Sequence, residues 1–438
     1  MREVSHDLAG GKAVGFGVPT FWEAFGFWLK LGFVSFGGPA AQISVMHQEL
    51  VEKKRWISEE RFLFALNFCM LLPGPEAQQL ATYIGWFLHK TRGGLAAGIL
   101  FVLPATVLLW GLSWMYVRFG QQQWMGNVFY GLKPAVLAIV LGAVIRLGSK
   151  ALKSRLSGVL SVAAFVSIYF FKVPVPFLML AAACVGLVAV RGAAKTTVEA
   201  RDAAPLAPGA RPPRLPSVLR VLRTAVLGVG LWMLPLVCAG VWLGTNSVIF
   251  SEGLFFSKAA MLTFGGAYAV LPYVSQQAVE SFGWLSASQM LDGLAFAETT
   301  PGPLIMVLEF AGFLGAWNQP APFSPLLSAT LGALMTVWCT FAPSFLWIFL
   351  GAPYVEGLHG NPRISGVLAA ITAAVVGVIL NLACWFGGAV LVPKSGGVDP
   401  FAACLSACAF FAMVRWKWGV IPIVLISGVL GAVYKSFL

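Results

Sequence analysis

The sequence predicts an all-α polytopic membrane protein made of two inverted-topology repeats with broken or re-entrant helices. Three observations predict it: a composition too apolar for a soluble surface, a series of apolar runs of spanning length, and one motif layout that occurs twice at constant spacing. Of 438 residues, 58% are hydrophobic and 11% are charged, and the mean hydropathy is +0.82. A soluble domain carries about a quarter charged residues. A chain this poor in charge cannot clothe itself against water, so its apolar excess faces lipid. The formal charge is +12, with 23 of the 29 Lys and Arg before Thr224. These bases sit between apolar segments, where they orient spans in a bilayer; they do not form a nucleic-acid surface.

Taken in order, residues 1–190 form the first repeat. Residues 1–20 are Gly-rich and lack the apolar core and cleavage site of a signal peptide. The apolar stretch 21–36 runs into Gly37-Gly38-Pro39 and a more polar 40–54. The stretch 57–72 runs into Pro73-Gly74-Pro75, followed by 76–88. Each arm is roughly 13–16 residues, or ~20–24 Å of helix, short for a ~30 Å hydrocarbon core. Short arms about a Gly/Pro break read as broken or re-entrant helices, whose open backbone must lie inside protein or beside water. Continuous spans follow at 93–115, 127–147, 156–171 and 173–190.

Residues 191–219 are rich in Arg, Pro and Ala with no apolar face, and read as a cytoplasmic linker. The segment 220–245 holds an extra apolar span at 221–243. Residues 246–438 form the second repeat, with spans at 325–350, 364–386, 400–414 and 418–434. The seven cysteines form no CxxC pair, which argues against a disulfide framework or a zinc site. Cys404 and Cys408, four apart on a predicted helix, read as small residues packed between spans.

The repeat is visible in single residues. Lys30, Phe36-Gly37-Gly38, Trp56-x-Ser58 and Pro73-Gly74-Pro75 recur as Lys258, Phe264-Gly265-Gly266, Trp284-x-Ser286 and Pro301-Gly302-Pro303, every pair 228 residues apart. Basic residues give the orientation. Lys53, Lys54, Arg55 and Arg61 of the first copy face a base-free 281–288 in the second, and Lys90 and Arg92 face a base-free 317–324. Arg146, Lys150, Lys153 and Arg155 give way to Lys394, while only Lys172 stands where the second copy has Arg415 and Lys417. Each comparison reverses in the same sense, so the positive-inside rule inserts the halves oppositely. The extra span supplies the odd crossing, and the N-terminus and linker are cytoplasmic. Inverted repeats with broken helices are a recurrent plan of secondary transporters.

The segments Phe33-Val34-Ser35-Phe36-Gly37-Gly38-Pro39, Leu71-Leu72-Pro73-Gly74-Pro75-Glu76, Thr263-Phe264-Gly265-Gly266 and Glu298-Thr299-Thr300-Pro301-Gly302-Pro303 resemble the chromate transporter family. The likeness spans both halves and leaves out the linker and the N-terminus. It implies a two-domain bacterial efflux protein of the cytoplasmic (inner) membrane that exports chromate and confers chromate resistance. Sulfate, of the same shape and charge, is the expected competitor, the lipid bilayer is the other partner, and the sequence is compatible with a homodimer.

A tetrahedral dianion must exchange its water for donors or positive potential. Helices broken within the membrane present N–H groups and the positive end of their dipole, and Gly37, Gly38, Gly265 and Gly266 let an anion approach bare backbone. Pro73, Gly74, Pro75, Pro301, Gly302 and Pro303 complete the breaks, with Pro75 and Pro303 suited to the first turn of the next half-helix. We expect the four breaks to converge on one binding site. Lys30 and Lys258 either serve the anion or snorkel to the interface. Ser35, Gln42, Thr263, Thr299 and Thr300 offer side-chain donors or local helix contacts. Glu76, Glu298 and Glu309 are candidates for proton coupling, since a carboxylate beside an anion repels it unless protonated; Asp292 lies in the same arms.

The chain has no GxxxxGK[ST] phosphate loop, HExxH, GxSxG or Cys/His cluster, and four His in all. It is therefore read as a transporter without cofactor or metal, not an enzyme. Other readings are transport of sulfate or another oxyanion, and a passive anion channel.

Overall fold

The computed structural model describes residues 19–36, 38–120, 122–193, 217–264, 266–320, 322–354, 362–392 and 397–437. Among these residues the regular structure is entirely helical. The first arm is α1 (Phe21–Val34), begun by Thr20, whose hydroxyl accepts the Glu23 N–H at 3.3 Å. After the first break come α2 (Gly38–His47) and a wider turn over Gln48–Lys53. Helix α3 (Glu59–Leu71) is capped by Ser58, which accepts the Arg61 N–H. The serine of the Trp-x-Ser motif is thus a helix start.

The helical stretch Glu76–Phe119 is interrupted at His89 and Lys90, where φ/ψ of −134°/26° and 55°/−147° turn the chain back. Residues 76–88 (α4) and 91–119 (α5) therefore form a hairpin. Its legs touch at glycines: a Cβ on Gly85 would come 2.4 Å from the Gly93 carbonyl oxygen. The half continues with α6 (Gln123–Ala151), α7 (Arg155–Phe171) and α8 (Val175–Ala193).

Helix α9 (Val218–Trp242) is the extra span, and only 11% of its most apolar window is buried, so it faces outward. The second half then repeats the order: α10 (Val248–Leu262), α11 (Ala267–Gln276), a wide turn over Gln277–Ser281, α12 (Ala287–Thr299), a single turn Leu304–Met306 and α13 (Val307–Asn318). Helices α14 (Pro325–Gly351), α15 (Pro362–Leu391), α16 (Pro400–Arg415) and α17 (Val420–Ser436) complete it. Ser286 caps α12 as Ser58 caps α3, and exchanges hydrogen bonds with Gln289. Among the described residues five stretches, Glu76–Phe119, Gln123–Ala151, Val218–Trp242, Pro325–Gly351 and Gly366–Leu391, contain a helix long and apolar enough to cross a membrane. The protein is a multi-pass membrane protein.

The halves interlock. Helix α6 packs on α16 and α17, the last pair of the second half, while α15 packs on α7 and α8, the last pair of the first; α6 and α15 also meet. These contacts are backbone-close, because a Cβ on Gly131 would overlap the Ser427 carbonyl and one on Gly377 the Ser161 carbonyl. Such small-residue seams are how membrane helices gain van der Waals contact. Likewise α1 lies on α5 and α10 on α14.

Three sequence expectations change. Pro75 and Pro303 stand one position before their half-helices, at the N-cap, so the first helical residues are Glu76 and Leu304. Cys404 and Cys408 are exposed on α16 and do not pack between spans. Helix α8 extends to Ala193 and α9 starts at Val218, which narrows the linker; residues 194–216, like the N-terminal 1–18, lie outside the described residues.

Candidate functional site

The breaks meet in pairs across the two halves. The Gly74 N–H donates to the Thr263 carbonyl at 2.8 Å, and the Gly302 N–H donates to the Ser35 carbonyl at 2.7 Å. Donors and acceptors of the two bonds are each 228 residues apart. Each Pro-Gly-Pro break is thus tied to the Gly-Gly break of the other half. These bonds satisfy carbonyls that the end of a helix leaves without a partner.

Glycine is required here by conformation. Gly38, Gly74, Gly266 and Gly302 have φ of 80°, 129°, 92° and 113°, a region in which a Cβ is strained. The neighbours differ. A Cβ on Gly302 would sit 2.3 Å from the Ala105 Cβ, whereas nothing lies within 4 Å of one on Gly38, and only Glu76 Oε1, at 3.9 Å, near one on Gly266. Ala105 is midway along α5, so the contact sets the Gly302 break at the mid-depth of that span. Gly38 and Gly266, by contrast, border open space.

Side chains complete the junctions. Gln42 Nε2 donates to the Gly302 carbonyl at 2.6 Å and to the Ser35 carbonyl at 3.4 Å. In the opposite junction Gln79 Nε2 donates to the Pro73 carbonyl at 2.8 Å. The Ser35 hydroxyl and the Oε1 atoms of Gln42, Gln78 and Gln79 are buried without a hydrogen-bond partner. Unpaired polar atoms are costly in a dry interior, and four of them about two broken-helix junctions make this a polar centre inside an apolar protein.

A charged cluster adjoins it. The Tyr268 hydroxyl, on α11, donates to Glu298 Oε1 at 2.7 Å. Arg146 of α6 approaches both that hydroxyl and the carboxylate. One turn further along α6, Lys150 lies toward Glu76. Arg146 also lines a cleft of about 360 Å³ with Gly142, Met413, Lys417 and Trp418. Arg146 therefore belongs both to the cluster beside the breaks and to a cleft carrying two bases, Arg146 and Lys417.

Chemically, the arrangement brings together open glycine backbone, half-helix N-termini, bases and buried carboxyls. The comparison with known families decides between kinds of membrane protein. The Chromate transporter family model matches residues 22–187 and again 251–432.

The chain belongs to the chromate transporter family.

A chromate transport protein of Pseudomonas aeruginosa is 31% identical over 428 residues, covering 94% of this chain and 92% of the relative. A chromate transport protein of Cupriavidus metallidurans is 29% identical over 411 residues, 89% of this chain and 87% of that one. A probable chromate transport protein of Synechococcus elongatus is 31% identical over 362 residues, 81% and 83% of the two chains. No solved structure matches this one.

In this member of the chromate transporter family the expected residues divide into two groups. Ser35, Gln42, Pro73, Gly74, Pro75, Glu76, Gly266, Pro301, Gly302, Pro303 and Glu298 stand at or beside the joined breaks, as does the Thr263 carbonyl. The hydroxyls of Thr263, Thr299 and Thr300 instead donate to Ala259, Ala295 and Phe296 of their own helices. Lys30 and Lys258 are exposed, and Lys30 lies toward Glu49 in the wide turn after α2. Glu309 is buried in α13 with both carboxylate oxygens unpartnered. Gly37 and Gly265 lie outside the described residues.

The sequence reading used Arg146 and Lys150 only for orientation, and passed over Tyr268 and the amide roles of Gln78 and Gln79. Bases four apart on one face of an apolar span were the available signal for the first two. Tyr268 carried none, because its partner lies 30 residues away across a fold.

Proposed function

We propose that this protein is a secondary transporter that exports chromate across the bacterial cytoplasmic membrane and so confers chromate resistance. The observation that carries the reading is the reciprocal tie of Gly74 to Thr263 and Gly302 to Ser35, which gathers the glycine-opened breaks beside Glu298, Tyr268 and Arg146. The printed activity of the relatives, chromate transport, supplies the cargo.

The dianion enters through the cleft lined by Arg146 and Lys417, whose bases belong to the cytoplasmic side by the positive-inside rule. It then sheds water against the Gly38 and Gly266 backbone and the half-helix termini. Glu298 holds Arg146 and the Tyr268 hydroxyl when no anion is present. A proton on Glu298 releases both donors to the dianion, which couples proton binding to anion binding. Glu76, facing Lys150, is the second carboxyl in reach, and Glu309 a third buried one. Outward movement of a dianion from a negative interior gains ~2 × 2.3 kcal/mol per 100 mV, and proton exchange inward adds to it. Two inverted halves rocking about the fixed breaks would give alternating access.

The test is chromate flux in liposomes containing the purified protein, under imposed voltage and pH gradients. Flux that follows voltage and carries protons the other way supports the reading; flux indifferent to both gradients would make the protein a passive channel. Sulfate run in parallel separates a chromate transporter from a general oxyanion transporter. Glu298→Gln is expected to uncouple chromate flux from the pH gradient while leaving voltage-driven flux.

A further inference from the structure

A second polar cluster lies where α5, α6 and α12 meet, apart from the breaks. The Asp292 side chain is buried, and its Oδ2 accepts a hydrogen bond from the Tyr116 hydroxyl at 2.8 Å. Lys133 Nζ stands 3.7 Å from Oδ1 and donates to the Ser288 hydroxyl at 2.6 Å. Oδ1 itself is buried without a hydrogen-bond partner. Two donors, the Tyr116 hydroxyl and the Lys133 ammonium, therefore face a carboxylate that they do not saturate, and the Ser288 hydroxyl stands beside them as the acceptor of Lys133. Phe129 and Phe310 pack edge-on against the Tyr116 ring at 5.2 and 5.3 Å, so the buried Asp292 lies beside an apolar wall while Lys133 reaches it from a partly exposed position.

The composition of this cluster repeats that of the Glu298 cluster. Helix α12 supplies both carboxyls, Asp292 and Glu298. Helix α6 supplies both bases, Lys133 and Arg146, and a tyrosine hydroxyl completes each group. The thirteen residues between the bases correspond to ~20 Å of helix, a large part of a ~30 Å hydrocarbon core. On α12 the two carboxyls are only six residues, or ~9 Å, apart, so the clusters diverge mainly along α6, with the Asp292 group the nearer to the N-terminal ends of both helices. A buried ion pair is in general a weak source of stability. Here its donors are the types that bind oxyanions: an ammonium, a phenol and a hydroxyl.

We infer that Lys133, Tyr116 and Ser288 form a second oxyanion-binding station near the outer end of the path, and that the Asp292 carboxylate occupies it until the dianion displaces it. The inference rests on the oxyanion-transport reading of the breaks. A tetrahedral dianion offers these donors the same acceptor oxygens with twice the charge. It repels the carboxylate while it binds Lys133, so Asp292 swings aside when an anion arrives and closes behind it when the anion leaves.

The experiment measures initial chromate uptake, over a range of concentrations, in liposomes holding the full-length chain as wild type, Lys133→Gln, Asp292→Asn and the double variant. The station predicts that K133Q loses about tenfold or more of the rate at low chromate. It predicts that D292N lowers KM, since no carboxylate need be displaced, and that the double variant is as poor as K133Q. A merely structural pair predicts the reverse: both single variants impaired, and the neutral double variant restored toward wild type. That restoration overturns the inference, as does an unchanged or raised KM in D292N. Where K133Q does not fold, D292N and the charge-keeping K133R carry the test, with K133R expected to retain transport. If the wild-type chain moves no chromate, the proposed function fails; rescue in the double variant leaves that function standing and removes only the station.

Discussion

Gly302 holds three constraints at once: a φ of 113°, an N–H donated to Ser35, and Ala105 where a Cβ would go, 2.3 Å away. Gly302→Ala adds left-handed strain of ~1–2 kcal/mol to an overlap of ~1–3 kcal/mol. It is expected to lower the melting temperature of the detergent-solubilised protein as well as chromate flux. Ala105→Gly in the same chain relieves the overlap alone, so stability returns in part. Gly74 differs, because a Cβ there meets the ends of Ser344 and Gln79, which can move. Gly38 and Gly266 differ more, since they border open space. Gly266→Val carries the left-handed backbone strain with no overlap added to it, and it also fills the space the anion needs, so flux is expected to fall by a larger factor than its loss of stability accounts for. Melting and flux measured on Gly302→Ala and Gly266→Val together check this division. Flux that tracks stability equally in both would show that all four glycines serve packing.

At the scale of helices, much was legible because the signals are local. The Gly/Pro breaks, the arm lengths and the serines of both Trp-x-Ser motifs stand within one or two turns of the structure they specify, and α1, α3, α10 and α12 end where the breaks begin. The threonines could be read only as offering either donors or local contacts, since a helical hydroxyl always has the carbonyl one turn back within reach; Thr263, Thr299 and Thr300 take that local option. What composition and spacing could not give is which ends meet. Nothing in residues 29–75 indicates that Ser35 bonds to Gly302 and not to Gly74, because that pairing is made by the interlock of α6 and α15 with the opposite terminal pairs. Gln42 is the element-level bolt: it reaches from α2 to the Gly302 and Ser35 carbonyls. Gln42→Leu strands the Gly302 carbonyl, at ~1–3 kcal/mol, while the Ser35 carbonyl keeps the Gly302 N–H. It should destabilise the protein measurably in thermal melts, and Gln42→Glu, which has no donor when ionised, should not rescue it.

For the whole molecule, the reciprocal hydrogen bonds and crossed helix packing are what a two-fold between the halves would produce, and such a two-fold can lie in the membrane plane or along its normal. The bases choose between them. Lys53, Lys54, Arg55 and Arg61 crowd the first wide turn and its approach to α3, and residues 281–288 have none, which the positive-inside rule reads as opposite sides; α9 would provide the odd crossing that this requires. Lys53 and Ser286 are both exposed, so a cysteine at either can be reached by a membrane-impermeant maleimide in a chain whose own seven cysteines are replaced. The inverted arrangement predicts that Ser286→Cys labels in intact cells and Lys53→Cys only after permeabilisation. It further predicts that deleting α9 moves position 286 to the side of Lys53 and abolishes flux, because two halves inserted in the same sense cannot bring the Gly74 and Gly302 breaks to their present partners. Labelling of both positions from one side in the undeleted chain would place the two-fold along the membrane normal. The wide turns of both halves would then crowd one face, and the breaks could not serve as a pocket opened alternately from either side.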